Sequence, residues 1–325
     1  MNTDILINKA KERALNGEIP DRQTILSLLA IDPASKAAEK LGECARDVAA
    51  KVCGNTGKIW ASIGVDYQPC TMNCGFCSFG EKWAVLKSRH EWDTDKIAAF
   101  AKKLASGGAK WITLRTTEFY ETEKLCALAR KVRSLVPGDY QLVANTGEFD
   151  EKKAKLLLKA GFQIIYHSLR LREGINTPFT EEERCATLET VMRSDLDLAF
   201  LVEPAGVEHS NEELADVFLT AMRYEAKLSG AMARVPVPGT PLYRHGAISE
   251  RRLAQLTAVT RLAAGYNAPD ICVHPPSQLA VEWGANVLVV ETGAIPRDTD
   301  PLSEEWNDFD IQAAKAWFHK AGYDV

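Results

Sequence analysis

Several features that would place this 325-residue chain in a familiar class are missing from its sequence. No apolar stretch approaches the length that crosses a membrane. The amino-terminal segment is charged and amphipathic, and it lacks the apolar core of a secretory signal. A net charge of −5 argues against broad nucleic-acid binding. We therefore expect a cytoplasmic protein that binds neither membranes nor nucleic acid.

Short motifs of common enzyme classes are missing as well. No G-x-G-x-x-G opens a helix, and the run at 54–58 is too short for a phosphate-binding P-loop. H-E-x-x-H and comparable His-rich spacings are absent, which argues against a zinc hydrolase. The hydrophobic content of 46% and charged content of 26% are typical of a globular enzyme.

Cysteine is scarce, but its placement is informative. Five of the eight cysteines are scattered singly, whereas Cys70, Cys74 and Cys77 form a C-x3-C-x2-C run with Phe76 before the last thiol. Three thiolates can hold three irons of a [4Fe–4S] cube. The fourth iron then has no protein ligand and can bind a substrate or cofactor. The compact trio therefore predicts chemistry at an open iron.

Zinc and disulfides are the alternatives for this cysteine trio. Structural zinc sites are usually four-coordinate and built from two separated C-x2-C pairs, and this sequence has no second pair. A disulfide framework does not suit a chain of this length whose other cysteines are isolated. We therefore favour an oxygen-sensitive iron–sulfur cluster in a reducing compartment.

The hydrophobic pattern changes once along the chain. The first 55 residues predict helices at about 2–16, 21–31 and 34–53, and the remainder alternates short apolar strands with amphipathic helices. Eight such units favour an α/β fold, a closed TIM-type (β/α)8 barrel, over an open doubly wound sheet. We expect a helical extension at 1–55 and a barrel domain at 56–325. The predicted strands are Ile59–Val65, Trp111–Leu114, Gln141–Ala144, Gln163–His167, Leu198–Val202, Met232–Val235, Ile271–Val273 and Val287–Val290.

Polar residues follow the second and third predicted strands, where reactive groups gather in a parallel barrel. Thr116, Thr117 and Glu118 offer hydroxyls and a carboxylate that can hold an ammonium group. Asn145 and Glu148 can bind ribose hydroxyls. Both segments can equally cap the helices that follow them.

Charged residues mark the end of the fourth strand and the sixth strand. Tyr166, His167, Arg170 and Arg172 make an unusually polar strand end, so interior placement is worth considering. Arg234 occupies the predicted sixth strand, where an arginine is costly unless an anion pairs with it. We predict that these five residues take part in catalysis.

One further arginine, Arg184, lies on the helix after the fourth strand. Its guanidinium can bind a carboxylate in bidentate fashion. On the residues alone, a surface salt bridge with neighbouring glutamates is the favoured interpretation.

With these features together, the chain resembles the radical S-adenosylmethionine superfamily. Cys70, Cys74, Phe76 and Cys77 match its defining motif, and the likeness extends over nearly the whole chain. Within the superfamily it is similar to the group that contains biotin synthase, methylornithine synthase and a hydrogenase maturase acting on small organic substrates. Weaker motifs occur in the order that this group shows, at 145–148, 166–169, 183–189 and 238–242.

The resemblance implies roles for the candidate residues. The open iron would chelate the amino and carboxylate groups of S-adenosylmethionine, with the 116–118 segment on the amino group and Arg184 on the carboxylate. Phe76 would lie near the adenine, and Asn145 and Glu148 would be further cofactor contacts. A 5′-deoxyadenosyl radical would then abstract hydrogen from a small substrate inside the barrel. An electron donor such as flavodoxin or ferredoxin is implied.

This sequence lacks cysteines that other members of the group carry, which reduces the number of reactions to consider. The cysteines that hold the second cluster of common biotin synthases are absent from the ends of strands two, three and five, and no second cluster motif follows near the carboxyl terminus. Cys272 is the one spare thiol that can face the barrel. We favour a one-cluster enzyme acting on a carboxylate-bearing metabolite or cofactor precursor, with Arg115 as a further cationic candidate. Sulfur insertion and a non-catalytic redox-sensing or scaffold role are the alternatives.

Overall fold

The computed structural model describes residues 2–294, 302–303 and 308–325. It begins with three helices, α1 (Thr3–Leu15), α2 (Arg22–Leu29) and α3 (Lys36–Val52). Each is capped by a short polar side chain that accepts a hydrogen bond from the first turn, as N-cap residues do. The three helices predicted before residue 55 are therefore confirmed.

Strands and helices then alternate. The strands are β1 (Lys58–Gly64), β2 (Asp66–Tyr67), β3 (His90–Glu91), β4 (Ala109–Arg115), β5 (Gln141–Asn145), β6 (Phe162–Tyr166), β7 (Asp197–Ala199), β8 (Val202–Ala205), β9 (Leu228–Ala233), β10 (Asp270–His274), β11 (Val287–Ala294) and β12 (Leu302–Ser303). The helices are α4 (Thr94–Ser106), α5 (Thr122–Leu135), α6 (Glu151–Ala160), α7 (Glu181–Met192), α8 (Asn211–Arg223), α9 (Glu250–Ala264), α10 (Gln278–Glu282) and α11 (Ile311–Lys320).

The parallel strands close into a barrel. Their order is β1-β4-β5-β6-β7-β9-β10-β11, and β1 pairs with both β4 and β11. Ala61, for example, lies opposite Ile112 on one side and Val290 on the other. The fold is thus the predicted α/β (β/α)8 barrel with an N-terminal helical segment.

Two strands differ from the sequence prediction. The fifth is divided into β7 and β8, and the sixth, β9, ends at Ala233 rather than beginning at Met232. Gly230 lies inside β9 with a φ of 145°, and a β-carbon there would collide with the carbonyl of Cys272. This close approach of β9 and β10 requires small residues, and small residues hid the strand from the hydrophobic pattern. Arg234 consequently lies just beyond the strand end.

The amino-terminal helices pack on the barrel and share its hydrophobic core. Gln255 of α9 donates to the carbonyl of Ile31 at 2.6 Å, and the ring of Trp283 lies against Gly42 of α3, where a β-carbon would collide with it. Within the described ranges, no helix is both long and apolar enough to cross a membrane.

The barrel interior is filled at mid-height by aromatic and aliphatic side chains. Trp60 donates to the hydroxyl of Thr113 at 2.7 Å and meets Tyr166 edge to face at 5.4 Å. Cys272 is buried in this layer, as predicted for a thiol facing the barrel. The layer closes the floor of the space above it.

A buried polar network lies at the amino ends of the strands. Arg261 of α9 donates to the carbonyls of Gly284 (3.0 Å) and Pro269 (2.8 Å) and to the side-chain oxygen of Asn286 (2.6 Å). Asn286 in turn donates to Asp270 at 2.8 Å. Every nitrogen of this arginine has a hydrogen-bond partner, which satisfies a charge that is completely buried.

Candidate functional site

The cysteine trio lies on the loop that follows β1 and β2. Backbone hydrogen bonds close this loop, from Cys70 to the carbonyl of Phe79 at 2.6 Å and from Cys77 to that of Cys74 at 2.9 Å. All three thiols are free and half-buried. The loop therefore presents three sulfur ligands from one compact turn at the carboxyl end of the barrel.

The surroundings of the thiols bear on metal binding. Burial raises the pKa of Cys70, and it raises the pKa of Cys74 to about 12 against the opposing charge of Arg170. Metal ligation requires the thiolate, so binding would displace protons. In the part of the chain that the structure describes, no three His, Cys, Asp or Glu side chains lie close enough together to hold a single metal ion. Three soft sulfur donors on one loop suit an iron–sulfur cluster.

A cavity of about 230 Å³ opens beside the cysteine loop. It joins the cysteine loop to the ends of β4, β5, β6, β8 and β9. The predicted site residues that line it are Phe76, Cys77, Asn145, Tyr166, His167, Arg170, Arg184 and Arg234. Residues predicted from separate stretches of sequence are thus brought to one space.

The Thr116–Glu118 segment is held rigidly beside this cavity. The backbone and hydroxyl of Thr117 donate to the buried Asp66 at 2.8 and 2.5 Å, and Thr116 contacts the hydroxyl of Thr146 at 3.2 Å. A β-carbon on Gly147 would collide with Glu118. Burial, and then the charge of Glu148, raise the pKa of the Glu118 carboxyl.

Arg184 lies in the interior rather than on the surface, with 2% of its area exposed. It donates to the carbonyl of Ser168 from two nitrogens, at 3.1 and 2.6 Å, and forms an ion pair with Glu148. The hydroxyl of Thr187 also donates to Glu148, and His167 lies 3.3 Å from it. The charge of Arg184 is therefore matched by a strand-end carboxylate and not by the glutamates of its own helix.

These contacts set the protonation states of Glu148 and His167. Burial alone would raise the pKa of Glu148, but hydrogen bonding and charge from His167, with the charge of Arg184, lower it to about 2. Burial, and then the charge of Arg184, lower the pKa of His167 to about 4, although Glu148 acts to raise it. At neutral pH the site therefore holds an ionised glutamate beside a neutral histidine.

Arg170 projects into the cavity between two carboxylates. Its guanidinium lies 3.8 Å from Glu173 and 3.9 Å from Glu203. Its Nη1 atom is buried and has no hydrogen-bond partner among the described residues. Tyr166 donates to Glu203 across the same space, and burial raises the pKa of Glu203. Arg170 thus lines the cavity and keeps one guanidinium nitrogen without a hydrogen bond among the described residues.

The remaining two predicted arginines bind protein carboxylates. Arg234 donates to both carboxylate oxygens of Glu208, one of them at 2.9 Å, and its side chain is buried at the cavity wall. Arg172 pairs with Glu213 of α8 at 2.6 Å and does not line the cavity. The structure therefore brings Arg170 and Arg234 to the cavity and places Arg172 beside α8.

Glu173 and Asp66 are among the carboxylates with contacts in the site that received no role from the sequence. Glu173 has a fully buried side chain that accepts from Thr177 and lies 3.4 Å from Arg184. Asp66 anchors the Thr117 turn. The sequence indicates these two roles only weakly. Glu173 comes three positions after Arg170 and Asp66 directly follows the first predicted strand, and acidic residues at such positions are also typical of solvated loops.

A smaller chamber of about 50 Å³ lies below the first and shares Arg115, Asn145, Tyr166 and Met232 with it. His274 and Glu291 line its far wall, 3.0 Å apart and both buried. This pair was not anticipated from the sequence. The two spaces together extend from the cysteine loop into the barrel.

Comparison with known proteins finds the same fold in several solved structures. Neither a protein-family model nor a curated protein matches the sequence. Methylornithine synthase (PylB) aligns with a TM-score of 0.80 at 15% identity, over 97% of this chain and 96% of that one. HydG, a maturase of the [FeFe]-hydrogenase, gives 0.79 at 14% identity, over 98% and 76%. HydG from Carboxydothermus hydrogenoformans gives 0.77 at 16%, over 97% and 78%.

A barrel with a lower TM-score serves as a reference for these values. HMG-CoA lyase from Brucella melitensis aligns with a TM-score of 0.55 at 12% identity, over 83% of this chain and 92% of that one. Methylornithine synthase and a hydrogenase maturase were both named by the sequence resemblance, which the comparison confirms at the level of fold. The chain therefore shares its fold with HydG and PylB over nearly its whole length.

Proposed function

We propose that the protein is a radical S-adenosylmethionine enzyme with one [4Fe–4S] cluster. Its substrate is a small metabolite or cofactor precursor, and the reaction is a rearrangement or the cleavage of a carbon–carbon or carbon–heteroatom bond in a biosynthetic pathway. The observation that carries the proposal is the position of Cys77 and Phe76 on the wall of the cavity that also contains Arg170 and Arg184.

The cofactor residues have distinct tasks in this proposal. Cys70, Cys74 and Cys77 hold the cluster, and when bound, the cluster and S-adenosylmethionine supply a 5′-deoxyadenosyl radical through one-electron cleavage of the sulfonium. Thr116, Thr117 and Glu118 bind the amino group of S-adenosylmethionine, and Arg184 binds its carboxylate. Phe76 packs near the adenine.

The arrangement of these side chains supports the assignment. Asp66 fixes the Thr117 turn through two hydrogen bonds, so the neighbouring hydroxyl and carboxylate do not have to be ordered when a ligand binds. Glu148 holds Arg184 by an ion pair, and Asn145 lies on the cavity wall beside them. Charges held in place in this way bind a ligand without a large cost of ordering their side chains.

The substrate would bind deeper in the cavity. Arg170 offers a buried donor without a partner, which suits a carboxylate. Tyr166 and the neutral His167 border the same space and can contact or orient the substrate. Arg234 forms part of the cavity wall, and its charge is already neutralised by Glu208. Arg172 anchors its own loop to α8 through the ion pair with Glu213. The electron donor is a carrier such as flavodoxin or ferredoxin.

The direct test is formation of 5′-deoxyadenosine. Anaerobic, iron-loaded protein reduced with dithionite and given S-adenosylmethionine should release it, with about four irons and four sulfides per chain. Cys74→Ser should lower the rate by at least about a thousandfold. Cys53→Ser is the matched control, because Cys53 is also half-buried and donates only to the carbonyl of Ala49. Product formation that is equal in both variants would refute the proposal.

A further inference from the structure

We propose that Tyr166, Trp60 and Trp111 form a redox chain, called here the aromatic chain, that carries an oxidising equivalent from the cavity to the amino end of the barrel. The aromatic chain quenches a carbon radical that finds no substrate, before that radical attacks the polypeptide. The source of the radical rests on the proposed function, whereas electron transfer along the chain is a property of the folded protein alone.

Two consecutive ring contacts join the members of the aromatic chain. Tyr166 meets Trp60 edge to face with ring centroids 5.4 Å apart, and Trp60 meets Trp111 in the same way at 6.5 Å. Electrons move rapidly between aromatic rings in contact, because the tunnelling distance is short. Among the described residues, Tyr166 and Trp60 are the only tyrosine and tryptophan whose rings touch. The contacts therefore provide one short route for an electron.

The aromatic chain begins at the cavity wall. Tyr166 lines both the cavity beside the cysteine loop and the smaller chamber below it. Its hydroxyl donates to the buried Glu203. Burial raises the pKa of the Glu203 carboxyl, so this group binds a proton more readily than an exposed glutamate. Glu203 can therefore return a proton to the Tyr166 oxygen after that oxygen has lost its hydrogen.

The other end of the aromatic chain lies near the surface at the amino end of the barrel. Trp111 is close to the start of β4, and its ring centroid lies 5.6 Å from the ammonium of Lys58. Lys58 begins β1, pairs with Asp270 at 2.7 Å and has a side chain that is 27% exposed. A small reductant in solution can thus come within one side chain of Trp111 without entering the cavity.

The composition of this layer is unusual for a barrel interior. Branched aliphatic side chains dominate such layers in (β/α)8 barrels, whereas three oxidisable rings meet here. Each indole N–H also has an oxygen partner, since Trp60 donates to Thr113 at 2.7 Å and Trp111 donates to Gln141 at 3.0 Å. These acceptors stabilise the positive charge that an indole carries after losing an electron. The layer therefore fills the core with groups that are able to pass an electron on.

Electrons and protons balance along this route. A carbon radical in the cavity takes a hydrogen atom from the Tyr166 hydroxyl, so a C–H bond forms and the O–H bond breaks. Trp60 then reduces the tyrosyl radical, and Glu203 supplies the proton that restores the phenol. Trp111 reduces Trp60, and a small one-electron reductant in solution, such as dithionite, restores Trp111. Glu203 regains its proton from water, so the carbon radical gains one electron and one proton in total.

The first test uses the purified chain before iron loading. A short ultraviolet laser pulse ejects electrons from tryptophan rings wherever they lie, and transient absorption follows the conversion of tryptophanyl into tyrosyl radicals. The wild type should show a fast first-order conversion that does not depend on protein concentration. This phase should be lost in Trp60→Phe and also in Tyr166→Phe, which removes only a hydroxyl. Retention of the phase in either variant would overturn the proposal.

Two further variants control for a loss of packing. Trp283 is as deeply buried as Trp60, and Tyr323 is also buried. Among the described residues, their ring contacts include no member of the aromatic chain. Trp283→Phe and Tyr323→Phe should therefore keep the fast phase. Its loss in both controls would show that packing alone decides the result, and it would overturn the proposal.

The second test follows the radical in the iron-loaded protein. Anaerobic protein is reduced with dithionite, given S-adenosylmethionine without substrate, frozen during the reaction and examined by electron paramagnetic resonance. Ring-deuterated tyrosine identifies tyrosyl signals. Trp60→Phe should accumulate a tyrosyl radical, and both Trp60→Phe and Trp111→Phe should show more covalent damage by mass spectrometry than wild type or Trp283→Phe. Equal damage in all four proteins would overturn the protective role.

The outcomes separate this inference from the proposed function. Absence of 5′-deoxyadenosine from the same samples would refute the proposed function, and the laser experiment would still decide whether the aromatic chain transfers electrons. Formation of 5′-deoxyadenosine without a tyrosyl radical in Trp60→Phe would overturn the aromatic chain and leave the proposed function intact.

Discussion

Arg261 at the amino end of the barrel and the half-buried Arg170 at the carboxyl end differ in their hydrogen bonding. At the amino end, Arg261 is completely buried and every nitrogen donates to a carbonyl or an amide oxygen between 2.6 and 3.0 Å. At the carboxyl end, Arg170 lies 3.8 to 3.9 Å from two carboxylates, and Nη1 has no hydrogen-bond partner among the described residues.

This difference in hydrogen bonding indicates that Arg261 stabilises the fold and that Arg170 is available to bind a ligand. Arg261 is completely buried and has a protein acceptor for each nitrogen, so it holds α9 to the turns that precede β10 and β11. A guanidinium with an unmade hydrogen bond on a cavity wall can accept a ligand as its partner. The amino end should therefore govern stability, and the carboxyl end should govern chemistry.

The largest expected effect is on turnover in Arg170→Met. This change removes a guanidinium from the cavity wall, and we expect normal turnover to fall about a thousandfold. Uncoupled cleavage of S-adenosylmethionine should continue. Arg170→Lys should recover only part of the loss, because a lysine lacks the planar fork. Product analysis with substrate present checks this, and unchanged turnover in Arg170→Met would contradict it.

The next effect is on stability in Arg261→Met. The carbonyls of Gly284 and Pro269 would lose their buried donors, so the free energy of unfolding should fall by about 4 kcal/mol. Denaturant titration measures this change. If Arg170→Met destabilised the protein as strongly as Arg261→Met, the division of roles between the two ends would be wrong.

Part of the loss of stability at acidic pH should also arise at the carboxyl end of the barrel. His167 has a folded pKa of about 4, below its ordinary value of 6.5. Its neutral form is thus favoured by folding, and this stabilisation, present above pH 6.5, is lost as the pH falls towards 4. The contribution is up to about 3 kcal/mol. In His167→Gln this part of the acid sensitivity should disappear, and denaturation profiles parallel to wild type between pH 7.5 and 4.5 would contradict the assignment.

The smallest expected effect is that of Glu173→Gln. Glu173 lies near both Arg170 and Arg184, so loss of its charge should misplace two guanidinium groups without opening a cavity. We expect the KM for S-adenosylmethionine to rise about tenfold, with a smaller change in kcat. Glu189→Gln, on an exposed position of α7, is the control. Equal kinetics in the two variants would remove the positioning role of Glu173.

Much of the fold was predictable, because its signals are local. The eight strand regions and the helices between them follow from short apolar runs and helical periodicity, and α1, α2 and α3 begin and end within two residues of their predicted bounds. The divided fifth strand and β9 were not predicted correctly. Their boundaries depend on contacts between strands, such as that of Gly230 with Cys272, which a local pattern does not contain.

The site was predictable where its residues lie at strand ends, since barrel topology brings those ends together. Asn145, Tyr166, His167 and Arg170 share one cavity for this reason. Pairing was not predictable, because it depends on distances between separate loops. Arg172 binds Glu213, Arg234 binds Glu208, and Glu148 is the partner of Arg184. Sequence alone does not distinguish these arginines from Arg170.

The most direct test of the account is Mössbauer spectroscopy of ⁵⁷Fe-loaded protein with and without S-adenosylmethionine. With Cys70, Cys74 and Cys77 as the only protein ligands, the spectrum of one iron in four should change when the compound is added. A spectrum in which all four irons are unaffected, as expected for a cluster with four protein ligands, would contradict the account.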